Sequence, residues 1–147
     1  MFRILFATLF LLFGFAAFAE EANFTPVGSF YDWGRGQDGF GHCYEWANGG
    51  GVLNGGQPVA DFYCESNRPS YYDWGRSKGG YAYCYHYTTY GTPMDAGQPA
   101  ANFYCESRRP SYYSWSYAKD GTMRCYQYAP NGIPMNEGQA VADFYCK

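Results

Sequence analysis

Aliphatic side chains are scarce in this 147-residue chain, so an ordinary core of leucine, isoleucine and valine cannot be assembled from it. Charge is sparse too: charged residues make up 16% of the chain and the formal net charge is -3. Without a basic face to release counterions, nucleic acid is excluded as a partner, and the 17 tyrosines lack the positive groove that base-stacking platforms require. Histidine occurs only at positions 42 and 86, and there is no Cys-x-x-Cys pair, zinc signature or nucleophile elbow. No metal and no cofactor is therefore expected, and the chain does not read as an enzyme.

Only one apolar run exists, from Ile4 to Phe18, preceded by Arg3 and followed by Ala19 and Glu20. At 15 residues it is shorter than the roughly 20 that span a bilayer, and Ala17-Phe18-Ala19 suits a signal peptidase. Residues 1–19 read as a secretory signal peptide and 20–26 as a linker, giving an exported protein, periplasmic or extracellular, with no transmembrane segment after cleavage. Loss of Arg3 leaves 9 Lys+Arg against 13 Asp+Glu, a net charge of -4. Six cysteines behind such a leader are the expected staples of a small domain poor in aliphatics.

What is present is a repeat. Trp33, Trp74 and Trp115 are 41 residues apart, and both cysteine series, Cys43, Cys84, Cys125 and Cys64, Cys105, Cys146, keep the same interval. The domain 27–147 divides into repeats 27–67, 68–108 and 109–147, and a period of this size denotes a solenoid, a propeller, an array or a closed symmetric fold. Thirteen positions are identical in all three copies: Ser29, Tyr31, Trp33, Gly39, Cys43, Tyr44, Gly50, Gly56, Gln57, Ala60, Phe62, Tyr63 and Cys64 with their equivalents.

Each copy reads as four short extended segments joined by turns, in repeat two Ser70–Trp74, Tyr81–Thr88, a piece around Thr92–Met94, and Ala101–Glu106. Asp38-Gly39, Asp120-Gly121 and Asn131-Gly132 are hairpin signals, while Pro93 and Pro134 mark the third segment as an edge or a bare connection. Alternation sets Tyr81, Tyr83, Tyr85 and Tyr87 on one face and Ala82, Cys84, His86 and Thr88 on the other. In the last segment it sets Phe62 with Ala60 and Cys64 in the core, and Tyr63 on the opposite face. Trp33, Trp74 and Trp115 are expected as core anchors.

Threefold repetition leaves two simple cysteine pairings. Pairing within repeats joins Cys43–Cys64, Cys84–Cys105 and Cys125–Cys146, each closing a loop of about 20 residues worth roughly 3 kcal/mol. Pairing across repeats joins Cys64–Cys84 and Cys105–Cys125, which in an open array strands Cys43 and Cys146, so the first is preferred. The fold class is all-β, three 41-residue repeats arranged as a β-trefoil with pseudo-threefold symmetry, or alternatively a linear array of three small disulfide-stapled β-sheet modules.

Cys43-Tyr44-Glu45-Trp46, then Gly56-Gln57-Pro58-Val59-Ala60-Asp61-Phe62-Tyr63-Cys64, with Trp74 ten residues later, resembles the repeat of the ricin-B-like β-trefoil lectins. Gly138-Gln139-Ala140-Val141 through Cys146 repeats the pattern, although Tyr72 and Tyr113 stand where that family has the Gln of its Gln-x-Trp motif. The resemblance implies a trefoil and sugar binding. Its sugar-binding acid falls on Glu45, with His86 and Gln127 in the other copies, and its stacking aromatic on Phe62, Phe103 and Phe144.

A glycan site needs an aromatic face for the sugar's C–H surface and carboxylates or amides for its hydroxyls. Glu45, Trp46, Asp61, Phe62 and Tyr63 are the candidate ligand residues, and three copies would add avidity. Gln57, Gln98 and Gln139 either bond turn backbone or meet ligand. The expected function is thus a secreted, non-catalytic, lectin-like protein binding a glycan or polysaccharide. A structural or adhesive envelope component using exposed tyrosine is the alternative. Glycoside hydrolysis by Asp61, Asp143 and Glu45 is disfavoured because Asn102 replaces the acid in the middle copy.

Overall fold

Beyond residue 19 the chain has one leucine, Leu53, and one isoleucine, Ile133, and its core is correspondingly built of tryptophan, cystine and methionine. The computed structural model describes residues 28–147; the leader and linker assigned to 1–26 lie outside them. Each repeat is one antiparallel hairpin: β1 (Ser29–Arg35) with β2 (Gly41–Ala47), β3 (Tyr71–Arg76) with β4 (Ala82–Tyr87), and β5 (Tyr112–Tyr117) with β6 (Met123–Tyr128). The registers are equivalent, placing Trp33 opposite Cys43, Trp74 opposite Cys84 and Trp115 opposite Cys125. The hairpin turn closes through Gly39, Gly80 or Gly121 at positive φ, which an L side chain would strain.

All three disulfides form within repeats, Cys43–Cys64, Cys84–Cys105 and Cys125–Cys146, each with Cα atoms 5.8 Å apart. Tryptophan packs beside them, and its indole N–H reaches the backbone: Trp33 Nε1 donates to Arg68 O at 2.6 Å and Trp74 Nε1 to Arg109 O at 2.8 Å. A buried indole donor needs such a partner.

No single repeat closes its own core. Past the hairpin, the chain returns along the free edge of the second strand in a broken segment, bridging Tyr87 to Pro93 and Cys84 to Ala100 in repeat two. Pro93 has no N–H to give, but its carbonyl faces the preceding repeat and accepts Gly41 N at 2.8 Å; Pro134 O accepts Ala82 N at the same distance. Met94 then buries against Trp33, Cys43 and Cys64, and Met135 against Trp74, Cys84 and Cys105. Charge reinforces each joint, with Arg68 beside Asp32 at 3.4 Å and Arg109 beside Asp73 at 3.0 Å. Each methionine is a wedge driven into the hairpin and disulfide of the repeat before it, the nearest-neighbour logic of a repeat array.

The two joints are matched in volume. A Cβ on Gly41 would meet Thr88 Cγ2 at 2.3 Å, whereas the second joint sets Ala82 against a smaller partner, Ala129. Gly41→Ala should therefore cost about 1–3 kcal/mol in chemical denaturation. Adding Thr88→Ala should recover most of that loss, and simple additivity of the two changes would contradict the pairing.

The last segment departs from the expected strand. Phe62–Glu65 and Phe103–Glu106 are single helical turns, α1 and α2, and Asp143–Cys146 is a 3-10 turn. After Val59 bonds to Cys43 O, the chain must curl to return Cys64 to its disulfide partner, and Glu65 N bonds to Asp61 O at 3.0 Å. Helical residues two apart point about 200° from each other rather than to one side. Cys64 thus faces inward and Phe62 outward, reversing the core assignment of the phenylalanines: Phe62, Phe103 and Phe144 are 63%, 63% and 59% exposed.

The domain is all-β in three two-stranded sheets, with repeat one joined to two and two to three. Among the described residues no hydrogen bond runs from repeat three back to repeat one. Trp33 and Trp74 are core anchors at 4% and 6% exposure, whereas Trp115 is 43% exposed and, among the described residues, has no methionine packed on it. No helix among the described residues is long and apolar enough to cross a membrane.

Candidate functional site

Positions 45, 86 and 127, where the three copies disagree, each sit in the middle of a hydrogen-bonded bridge. Glu45 accepts from Ser29 Oγ at 2.6 Å and from Asn54 Nδ2 at 2.9 Å. His86 lies 2.6 Å from Ser70 Oγ and 3.0 Å from Asp95 Oδ2. Gln127 donates to Ser111 Oγ at 2.7 Å and accepts from Asn136 Nδ2 at 2.9 Å. The partner nine residues on changes with the central residue, amide facing Glu45 and Gln127 and carboxylate facing the histidine, so every bridge keeps a donor against an acceptor. These partners begin the turns at φ 54, 51 and 48, a left-handed conformation that Asn and Asp tolerate.

The bridge has a pH signature. Asn54→Asp would set two carboxylates against each other, raising both folded-state pKa values above their unfolded ones. Relative to wild type, the variant should lose about 1 kcal/mol at pH 7 and regain it as pH falls through the raised values. Denaturation at pH 7 and pH 4 measures the difference, and an equal loss at both would contradict the bridge.

Beside each bridge is a column of rings. Tyr31 stacks on Tyr63 with centroids 4.5 Å apart, Tyr72 on Tyr104 at 4.4 Å and Tyr113 on Tyr145 at 4.7 Å. Burial, and for Tyr31 the nearby Glu45 carboxylate, holds the Tyr31, Tyr72 and Tyr113 phenols above their ordinary range, so they are neutral hydroxyls at physiological pH. The phenylalanine ends the column, its ring 4.0, 3.9 or 4.1 Å from the adjoining tyrosine in the three repeats and otherwise open. Asp61, Asn102 or Asp143 precedes it, exposed in every copy. Partial desolvation by the surrounding protein pushes the exposed Asp61 carboxyl up, and the Asp95 carboxylate of the next repeat adds to the shift while His42 opposes it.

Asp61, Phe62 and Tyr63 therefore share one turn, and Glu45 joins them through Tyr31, its cross-strand neighbour. Trp46 does not join them. It lies on the other face of the hairpin, where its Nε1 donates to Asp32 O at 3.2 Å. There it lines a shallow groove of about 200 Å³ with Gly34, Tyr44 and Gly56. Equivalent grooves of about 240 and 250 Å³ pass Tyr85 and Tyr87, and Tyr126 and Tyr128.

Most of the thirteen identities have a scaffold explanation: buried Trp and Cys, glycines at positive φ, stacked tyrosines. The Phe62 and Gln57 series do not, since both are exposed in all three copies. The sequence signal for the bridges was the paired change at 45 and 54, 86 and 95, and 127 and 136. Comparison with protein-family models, with curated proteins and with solved structures finds no match for this chain.

Proposed function

We propose that this chain is an exported, non-catalytic glycan-binding protein that presents one aromatic platform per repeat, each centred on Phe62, Phe103 or Phe144. The observation that carries the reading is that a chain short of core-forming side chains leaves the same three phenylalanine rings largely in solvent. An open ring face suits the C–H surface of a pyranose, and the adjoining Asp61, Asn102 and Asp143 supply acceptors for its hydroxyls. Acid and amide alternate at that position, which suits hydrogen bonding and not proton transfer.

Three weak sites on one chain favour a polymeric ligand, because linked sites multiply affinity. The resemblance to the trefoil lectins points to the same class of ligand. The reading needs three copies of the site and does not depend on their closing into a trefoil ring. Three disulfides suit the oxidising compartment to which an exported chain is delivered. Retention on immobilised polysaccharides tests the proposal: saturable binding displaced by a free sugar is expected, and no retention on any polysaccharide at high ligand density would overturn it.

A further inference from the structure

The two internal joints have the same plan, and among the described residues repeat three and repeat one each carry a half of it that no other repeat fills. The socket half is a tryptophan with the start of the second strand; in repeat three it is Trp115 and Met123, 43% and 55% exposed, with Tyr117 at 71%. The wedge half is the edge segment, and in repeat one its residues Val52 and Leu53 stand where Pro93 and Met94, then Pro134 and Met135, enter the preceding repeat. Val52 is 37% exposed. Among the described residues the Val52 carbonyl accepts no backbone hydrogen bond, unlike Pro93 O and Pro134 O.

The terminal halves differ from the internal ones in complementary ways. At the socket, Phe40-Gly41 and Tyr81-Ala82 become Thr122-Met123, large-small exchanged for small-large, so apolar volume is kept while its position shifts. Phe40 and Tyr81 cover Gly97 and Gly138 of the following repeat, whereas nothing lies within 4 Å of a Cβ built on Gly56. The acid of each internal ion pair, Asp32 or Asp73, is Ser114 in repeat three, and its arginine, Arg68 or Arg109, is Val27 in repeat one. The charge is absent from both halves together, so neither would bury an unpaired ion. The free face also becomes more apolar where solvent exposure alone would favour polarity: Tyr117 occupies the position of Arg35 and Arg76.

We infer that the occupant of the Trp115 socket is a second copy of this chain, its Leu53 wedge entering beside Trp115 and Met123 as Met94 enters beside Trp33. Such a contact is heterologous. Each added copy exposes a fresh wedge and a fresh socket, so the association extends into linear oligomers rather than stopping at a dimer.

The test uses the full chain exported into an oxidising compartment so that its disulfides form, followed by sedimentation velocity over a range of concentrations. Wild type should sediment as a series growing past dimer as concentration rises. Leu53→Glu and Met123→Glu, each placing a carboxylate in the apolar contact, should weaken self-association at least about tenfold with unchanged circular dichroism. Mixed, the two variants retain one intact wedge and one intact socket and should form a complex that ends at two chains. Val52→Arg serves in place of Leu53→Glu if that variant misfolds. A wild-type chain that stays monomeric at about millimolar concentration, or growth insensitive to both substitutions, would overturn the inference.

Discussion

A chain with Phe62, Phe103 and Phe144 all changed to alanine is expected to fold like wild type and to lose polysaccharide binding by about 10²-fold or more. The binding loss follows from multivalency: each ring contributes a weak site, and linkage of three raises avidity by about 10²–10⁴ without new contacts. Single replacements should each cost a smaller factor, and the factors should compound. Stability should change little, within about 1 kcal/mol per site, since the rings are 59–63% exposed and only one face packs on tyrosine. Affinity electrophoresis in a polysaccharide gel reads the first quantity and urea denaturation the second. Unfolding of the triple variant would return these residues to the scaffold.

The largest expected effect on stability lies elsewhere. Met135→Ala should cost about 2–5 kcal/mol, because its side chain is 1% exposed against Trp74, Cys84 and Cys105, and the cavity would open at a joint between repeats. Met94→Ala should behave alike at the first joint. Leu53→Ala, the same kind of truncation at the equivalent position, should cost less than about 1 kcal/mol at micromolar concentration, since among the described residues Leu53 enters neither core cluster. Equal losses at Leu53 and Met135 would show that the wedge stabilises its own repeat and not the joint.

The difference between these positions indicates what the sequence could reveal. Local features were readable: the 41-residue interval fixes equivalence, Asp-Gly turns place the hairpins, and alternation along Tyr81–Thr88 matches the buried Ala82, Cys84 and Thr88. The same interval left two cysteine pairings open, and the preferred one, within repeats, is the one that forms. Features set by a neighbour were not readable. Phe62 and Cys64 alternate as strand residues do, and only the need to curl back onto Cys43 makes that segment helical. Trp115 holds the same repeat position as Trp33 and Trp74, yet it is exposed, and among the described residues no methionine of another repeat packs on it.

The candidate site was legible in part. Asp61, Phe62 and Tyr63 come together with Glu45 beside them, while Trp46 lies on the opposite face of the hairpin because neighbours in a strand alternate. The lectin resemblance puts its sugar-binding acid at Glu45, His86 and Gln127. Their hydrogen bonds to Asn54, Asp95 and Asn136 give each difference a local explanation. The exposed identities, phenylalanine above all, are what the scaffold leaves unexplained.

Beyond residue 19 the chain has only six phenylalanines, at 24, 30, 40, 62, 103 and 144, so selectively labelled aromatic NMR spectra resolve the question directly. On titration with an oligosaccharide fragment of a retained polysaccharide, the Phe62, Phe103 and Phe144 ring signals should shift together, saturating at one fragment per repeat. Phe40, packed over Gly97 in the first joint, should not move. Saturable binding that leaves those three signals in place would contradict the account.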